Sequence, residues 1–227
     1  MASDTRLKLI LAAERLCGTH GIHAVPIRDI VEAAGQRNAS ALNYHFGDRE
    51  GLVAAVINHR RSFVDTERVR LLDSFERDGV ALDVPRIAQA LAAPLAWLMR
   101  EDATGANYVL FLSQVFVSDR LQYAESVRGL SDTGLRRCLR AYRDARPELS
   151  TRLARERFHV AGRTAVYALA DWHRDVQGRD ARLRGPLRDF ERHLVALAAG
   201  LLNAAGPEKQ GRAGRDAAQP RGDTAWT

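Results

Sequence analysis

The segment at residues 27–52, IRDIVEAAGQRNASALNYHFGDREGL, constrains the fold more than any other part of the chain. Its apolar residues recur at helical spacing up to Gly35, a residue type that readily adopts the left-handed conformation at the end of a helix. Asn38 can cap a second short helix that runs to Phe46, and Asp48 can cap a third helix. Two short helices around a tight turn are the pattern of a helix-turn-helix, which places its second helix in the major groove of DNA.

Several motifs occur together in and around this segment: Ala34-Gly35 at the turn, Leu42-Asn43-Tyr44-His45-Phe46 in the second helix, and Arg49-Glu50 at the start of the next. In this combination, over residues 4–60, the chain resembles the N-terminal domain of TetR/AcrR-family transcriptional regulators. The turn Gln36-Arg37-Asn38 is one residue longer than the common family pattern. Asn43 stands where the family usually has Tyr, and Val25-Pro26 replaces a Thr or Ser cap.

The helix-turn-helix and its flanks carry the residues that we expect to contact DNA. Arginine offers a bidentate fork to guanine and a strong charge to phosphate, and asparagine can pair with adenine. Tyr44 and His45 are assigned phosphate contacts by the resemblance. The full expected set is Arg28, Arg37, Asn38, Ser40, Ala41, Asn43, Tyr44, His45 and Arg49. The alternatives are that the arginines are solvated surface residues and that Tyr44 packs on the first helix.

The remainder of the chain is predicted to be helical, because it lacks the period-two alternation of strands. We therefore predict an all-α protein, with a three-helix helix-turn-helix domain at residues 1–62 and a larger helical domain at 63–205. The candidate helices of the second domain span 83–100, 107–119, 126–145, 148–176 and 186–204. The Gly-, Pro- and charge-rich segment 206–227 has almost no apolar content and is predicted to be a disordered tail.

The second domain is expected to bind a small, mostly apolar effector, because the resemblance implies an effector that releases DNA. Its large side chains with polar tips are of the kind that line ligand pockets, although such residues also simply fill cores. The candidate pocket residues are Trp97, Asn107, Phe111, Gln114, Tyr142, His159 and Arg163.

Two apolar stripes on the last two long helices are candidate dimer contacts. One steps by three and four residues, as in a coiled-coil seam, and the other contains small residues that allow close approach. They comprise Leu187, Phe190, Leu194, Leu197 and Leu201, and Phe158, Ala161, Gly162, Ala165 and Leu169. Residue pattern alone leaves it open whether these stripes face the subunit's own core. The resemblance favours a symmetric four-helix dimer interface.

No metal site, cofactor site or catalytic motif stands out. His20 and His23 have no nearby Cys or carboxylate to complete a ligand set, and His159 and His173 are too far apart on one helix to share an ion. The uncharged run 103–118 is shorter than the roughly 20 apolar residues of a membrane span. The two widely separated cysteines and the absence of a signal-peptide pattern favour the cytoplasm.

These features predict a homodimeric transcriptional regulator, acting as a repressor at a pseudo-palindromic double-stranded DNA operator, with a small-molecule effector and no membrane partner. The net charge of +6 agrees with a polyanionic partner without proving it. One alternative is a ligand-independent dimeric DNA-binding protein whose second domain only dimerises. A helical enzyme is a more remote alternative, since Ser113, His159 and Asp171 are not singled out by their spacing.

Overall fold

The computed structural model describes residues 2–38, 40–118, 133–178 and 185–205, except for the side chains of Ala2, Ser3 and Ala41. Within these ranges every regular element is an α-helix, which confirms the predicted all-α class. The tail predicted at 206–227 and the first part of the helix predicted at 126–145 lie outside the described residues.

The described helices follow one another with short connections. Their bounds are α1 Ala2–His20, α2 Ile27–Ala33, α3 Ser40–Phe46, α4 Arg49–Arg77, α5 Val84–Glu101, α6 Gly105–Ser118, α7 Thr133–Ala145, α8 Thr151–Gln177 and α9 Leu187–Asn203. None of them is both long enough and apolar enough to cross a lipid bilayer.

The helix ends between α2, α3 and α4 lie where the sequence predicts them. Gly35 has φ +70° and Gly47 has φ +78°, in the left-handed region that favours glycine. The amide of Gln36 donates to the carbonyl oxygen of Val31 at 3.0 Å, which is the bond of a Schellman helix end. Asp48 caps α4, because its side chain accepts a hydrogen bond from the Gly51 amide at 2.7 Å.

Helix α4 joins the two regions of the chain without interruption, so the boundary predicted at residue 62 falls inside a 29-residue helix. A second connection is the packing of α1 on α6, where a Cβ on Gly18 would lie 3.0 Å from the carbonyl oxygen of Asn107. One hydrophobic core therefore includes buried residues from both regions, such as Ile10 and Phe111. The N-terminal and C-terminal helices therefore pack directly against each other.

The C-terminal helices pack around α5, whose residues are buried on nearly every side. Helix α9 packs along α5 and α8, and α8 also contacts α6 and α7. The end of α9 is held by the fully buried Tyr142 of α7, which donates a hydrogen bond to the carbonyl oxygen of Leu202 at 2.8 Å. These contacts fix the walls of the cavity described below.

Candidate functional site

Helix α3 presents polar side chains outward from the N-terminal core. Leu42 is fully buried and anchors the helix, while Ser40, Asn43 and Tyr44 are exposed. Tyr44 is 82% exposed and contacts the ring of His45, so it does not pack on α1, as the alternative supposed. On the inner side, the guanidinium of Arg6 lies 5.3 Å from the centre of the Phe46 ring. The exposed face can therefore be presented to a flat or grooved partner.

The turn before α3 and the start of α2 each carry an exposed arginine. Asn38 accepts a hydrogen bond from the Ser40 amide at 2.9 Å, so the predicted DNA contact at Asn38 is also the cap of the helix. Arg37 is exposed. Arg28 is exposed at the start of α2 and forms only a 3.4 Å contact with its neighbour Asp29. The side chain of Ala41 lies outside the described part of the chain.

Arg49 has a different place from the one that the sequence suggests. Both terminal nitrogens of its guanidinium donate to backbone carbonyl oxygens in the α1–α2 connection, those of Ile22 and Val25, the second at 2.8 Å. These two hydrogen bonds hold the α1–α2 connection against the start of α4, a role that the sequence did not indicate. The phosphate contact expected of Arg49 stays a prediction.

A buried ion network links α1, α4 and the α5–α6 connection. Arg60 donates to both carboxylate oxygens of Glu14, at 2.8 and 3.0 Å, and to Asp102 and Thr104 at 2.5 Å each. Burial raises the pKa of Glu14, although its hydrogen bonds to Arg60 oppose the change. The pKa of Asp102 is lowered to about 2, because hydrogen bonds from Thr104 and Arg60 outweigh its desolvation. The network joins the N-terminal helices to the C-terminal ones.

The C-terminal helices and α4 line a partly open cavity of about 380 Å³, a volume within the usual range of ligand pockets. Helices α4, α5, α6, α7 and α8 all contribute to its walls. The described lining residues are mostly aliphatic and aromatic, with a few cationic groups: Ile57, Arg61, Val64, Arg68, Leu91, Leu95, Tyr108, Leu112, Phe116, Leu135, Arg136, Leu139, Phe158, His159, Gly162, Arg163 and Val166. The arrangement can hold a small molecule with a large apolar part.

Only two of the predicted pocket residues, His159 and Arg163, line this cavity. Asn107, Phe111 and Gln114 lie on the face of α6 that meets α1: backbone atoms of Asn107 and Phe111 lie beside Gly18, and the Gln114 side chain lies beside Gly21. The remaining two predicted residues, Trp97 and Tyr142, pack into the hydrophobic core. The face of α6 that lines the cavity carries Tyr108, Leu112 and Phe116 instead.

The two apolar stripes proposed for the dimer mostly face the subunit's own core. Phe158, Ala161, Ala165, Leu169 and Leu194 are buried within the single chain, and Gly162 lines the cavity. Leu187, Phe190 and Leu201 are half-buried, so only Leu197, at 49% exposed, remains largely available to a partner. Five of the ten predicted contacts are therefore corrected, because their side chains are buried in the subunit's own core. The dimer role of the others stays a prediction.

Neither cysteine has the surroundings of a reactive thiolate. Cys17 and Cys138 are buried, and burial raises the pKa of each thiol to about 11. Burial, and then the charges of Arg163 and Arg155, lower the pKa of His159. In the described ranges no three His, Cys, Asp or Glu side chains are arranged to hold a metal ion.

The sequence pattern did not reveal that Glu14 and Arg60 are buried together, or that residues of α4 line the cavity. A signal was present, since Glu14 lies on the apolar face of α1 between Ile10 and Cys17, one turn from each. Arg60 interrupts the corresponding face of α4. A charged residue inside an apolar stripe indicates a buried partner of opposite charge.

Two family models match the chain. The model described as bacterial regulatory proteins, tetR family, matches residues 9–56, and the one described as Tetracyclin repressor-like, C-terminal domain, matches residues 89–207. No curated protein sequence matches the chain.

Solved structures share the fold. NalD from Pseudomonas aeruginosa, the secondary repressor of the MexAB-OprM multidrug efflux pump, is 16% identical with a TM-score of 0.51, over 87% of this chain and 96% of that one. A second NalD structure is 18% identical with a TM-score of 0.52, over 86% of this chain and 94% of that one. The fatty acid degradation regulator FadR from Bacillus halodurans is 17% identical with a TM-score of 0.51, over 87% of this chain and 93% of that one.

Proposed function

The chain belongs to the tetR family of bacterial regulatory proteins, and we propose that it is a transcriptional repressor that a small, mostly apolar effector releases from its operator. It acts in the cytoplasm, as a homodimer on a pseudo-palindromic site in double-stranded DNA. The proposed role is regulatory and includes no enzymatic activity.

The observation that carries the proposal is the outward face of α3. Asn43 and Tyr44 are exposed there on a helix that the buried Leu42 holds in place, and Arg28 of α2 and Arg37 of the preceding turn are also exposed. Side chains of this kind read base edges and neutralise phosphates when a helix enters the major groove.

Helix α4 supports effector-controlled release. Its first turn holds the connection before α2 through Arg49, and its later turns contribute Ile57, Arg61 and Val64 to the cavity wall. A ligand that favours a different position of α4 would therefore change the presentation of α3. Such a ligand must bind the DNA-free and DNA-bound conformations with different affinities.

The outer faces of α8 and α9 are the proposed dimer surface. Val160 of α8 is 52% exposed and Leu197 of α9 is 49% exposed, so both are available to a partner. Gly200 lies one turn from Leu197, and the space around its Cα is open to the close approach of another helix. A two-fold axis through this surface would present two α3 helices to one operator.

The proposal is tested by selecting genomic DNA fragments that bind the purified protein and then screening small molecules for release of the selected fragment. Gly162→Leu is the matched variant, because the added side chain would occupy the cavity far from α3. We expect it to bind the fragment like wild type and to lose release by the effector. Specific DNA binding that no ligand alters would instead support the ligand-independent alternative. If the wild-type protein binds no DNA fragment specifically, the proposal is contradicted.

A further inference from the structure

The cavity has an uneven distribution of charge. Most of its wall is apolar, and its ionisable side chains are arginines and a histidine; no aspartate or glutamate is among the described residues that line it. The arginines differ in their surroundings. Arg68 is paired with Asp65 at 3.2 Å and donates to the carbonyl oxygen of Ala90, while Arg61 and Arg136 take part in other interactions.

Arg163 contacts an aromatic ring, and no carboxylate among the described residues pairs with it. Its guanidinium lies over the ring of Phe116, 5.6 Å from the ring centre, and Phe116 also lines the cavity. Tyr167, one turn along α8 from Arg163, contacts the same ring edge-on at 6.3 Å. The aromatic ring therefore positions the guanidinium without neutralising its positive charge.

Stacking of this kind leaves the edge of the guanidinium open. The N–H groups of arginine lie in the plane of the group, so a ring packed on its face leaves them available for a planar, bidentate acceptor. His159 lies one turn before Arg163 on α8 and lines the same cavity. Its imidazole can supply one further hydrogen bond at the same end.

We propose that the effector is an anionic amphiphile, with one carboxylate seated at Arg163 and an apolar body among Leu91, Leu95, Leu112 and Phe158. This inference rests on the proposed function, because it assigns the chemical class of the ligand to the same cavity. A cationic ligand would place like charges together in a medium of low dielectric constant. A neutral hydroxyl could accept one hydrogen bond from the guanidinium, but it supplies neither the opposite charge nor the two acceptor oxygens of a carboxylate.

The test compares three probes that share one ten-carbon chain: decanoate, decan-1-ol and decylamine, titrated calorimetrically into the full chain at pH 7.5. We expect decanoate to bind about tenfold or more tighter than decan-1-ol, as for a charge-assisted hydrogen-bonded pair, and decylamine to bind weakest. Arg163→Gln should weaken decanoate by about the same factor and leave decan-1-ol unchanged. Arg163→Lys should restore part of the preference, since it keeps the charge and loses the fork.

The matched control is Arg152→Gln on the same helix, where the arginine is exposed and paired with Glu156. It should bind all three probes like wild type. Equal binding of decanoate and decan-1-ol by wild type, an unchanged preference in Arg163→Gln, or no binding of any probe would overturn the inference.

Operator binding, measured in the same samples, distinguishes failure of the anionic-ligand proposal from failure of the proposed effector function. If decan-1-ol or decylamine releases DNA better than decanoate, the effector function stands and the anionic class is wrong. If decanoate binds through Arg163 and operator affinity does not change, the class is right and the effector function is wrong.

Discussion

Arg60 on α4 and Glu14 on α1 form a two-pronged ion pair inside the protein, with Nε and Nη2 donating to the two carboxylate oxygens at 2.8 and 3.0 Å. Glu14 is fully buried and Arg60 is 4% exposed. The pair ties the first helix of the DNA-binding region to the helix that lines the cavity. A buried charge of this kind is tolerated only while its partner is present.

Removal of Arg60 should therefore be strongly destabilising. Arg60→Met leaves the Glu14 carboxylate uncompensated and should lower the free energy of unfolding by about 3–5 kcal/mol, measured by urea denaturation. The double variant Glu14→Met, Arg60→Met should recover much of that loss. Arg70→Met is the control, because Arg70 pairs with Glu67 at the surface, and it should leave the unfolding midpoint nearly unchanged. Equal effects of Arg60→Met and Arg70→Met would contradict the buried-pair account.

Substitutions of Arg49 and Arg28 should have different effects on stability and on DNA binding. Arg49→Ala removes two hydrogen bonds to backbone carbonyls and should lower the melting temperature, with DNA binding reduced only in proportion to unfolding. Arg28→Ala should leave the melting temperature unchanged and reduce the salt dependence of DNA affinity, as expected for a lost phosphate contact. The opposite assignment of the two effects would show that Arg49 is the DNA contact.

Two leucines three residues apart on α9 should behave differently when charged. Leu197→Glu places a carboxylate on the exposed face and should give a folded monomer with weakened operator binding, measured by analytical ultracentrifugation and anisotropy. Leu194→Glu buries an unpaired charge in the subunit core and should unfold the chain. A Leu197→Glu protein that remains a dimer would place the interface elsewhere.

Acid should destabilise the protein through three histidines. Burial is the main cause that lowers the pKa of His59, His159 and His173 below the ordinary value of 6.5. The unfolded chain then takes up protons at a higher pH than the folded one, so the stabilisation is complete above about pH 6.5 and is lost as pH falls through the lowered values. Glu14 acts in the opposite direction, because its pKa is raised.

We expect a lower urea midpoint at pH 5.5 than at pH 7.5. The variant with His59, His159 and His173 all replaced by Gln should show a smaller difference between the two pH values. The same difference in wild type and in this variant would assign the acid sensitivity to other groups.

The N-terminal region could be predicted from sequence because its structure is specified locally. Gly35 and Asp48 each determine a helix end through their own backbone or side-chain chemistry, and both have the predicted roles. No local feature showed that Arg49 would reach the carbonyl oxygens of Ile22 and Val25, which lie more than twenty residues earlier in the chain.

The sequence predicted that the C-terminal region is helical, but not which side of each helix faces the subunit core. Both sides of α9 carry apolar and small residues, so the leucine repeat was compatible with a dimer seam and with the subunit core. The decision depends on α5, whose nearly continuous apolar sequence demands cover on all sides and buries the Leu194 side of α9. The cavity residues follow from the same packing and could not be chosen from residue type alone.

The central claim is that α3 reads an operator through Asn43. The most direct measurement is the base preference of wild type and Asn43→Ala, determined by selecting bound sequences from a random DNA library. We predict two related half-sites for wild type, and for Asn43→Ala the loss of preference at one position in each half-site, equivalent to about 1–3 kcal/mol of discrimination. An Asn43→Ala protein with wild-type affinity and an unchanged base preference at every position would contradict the account.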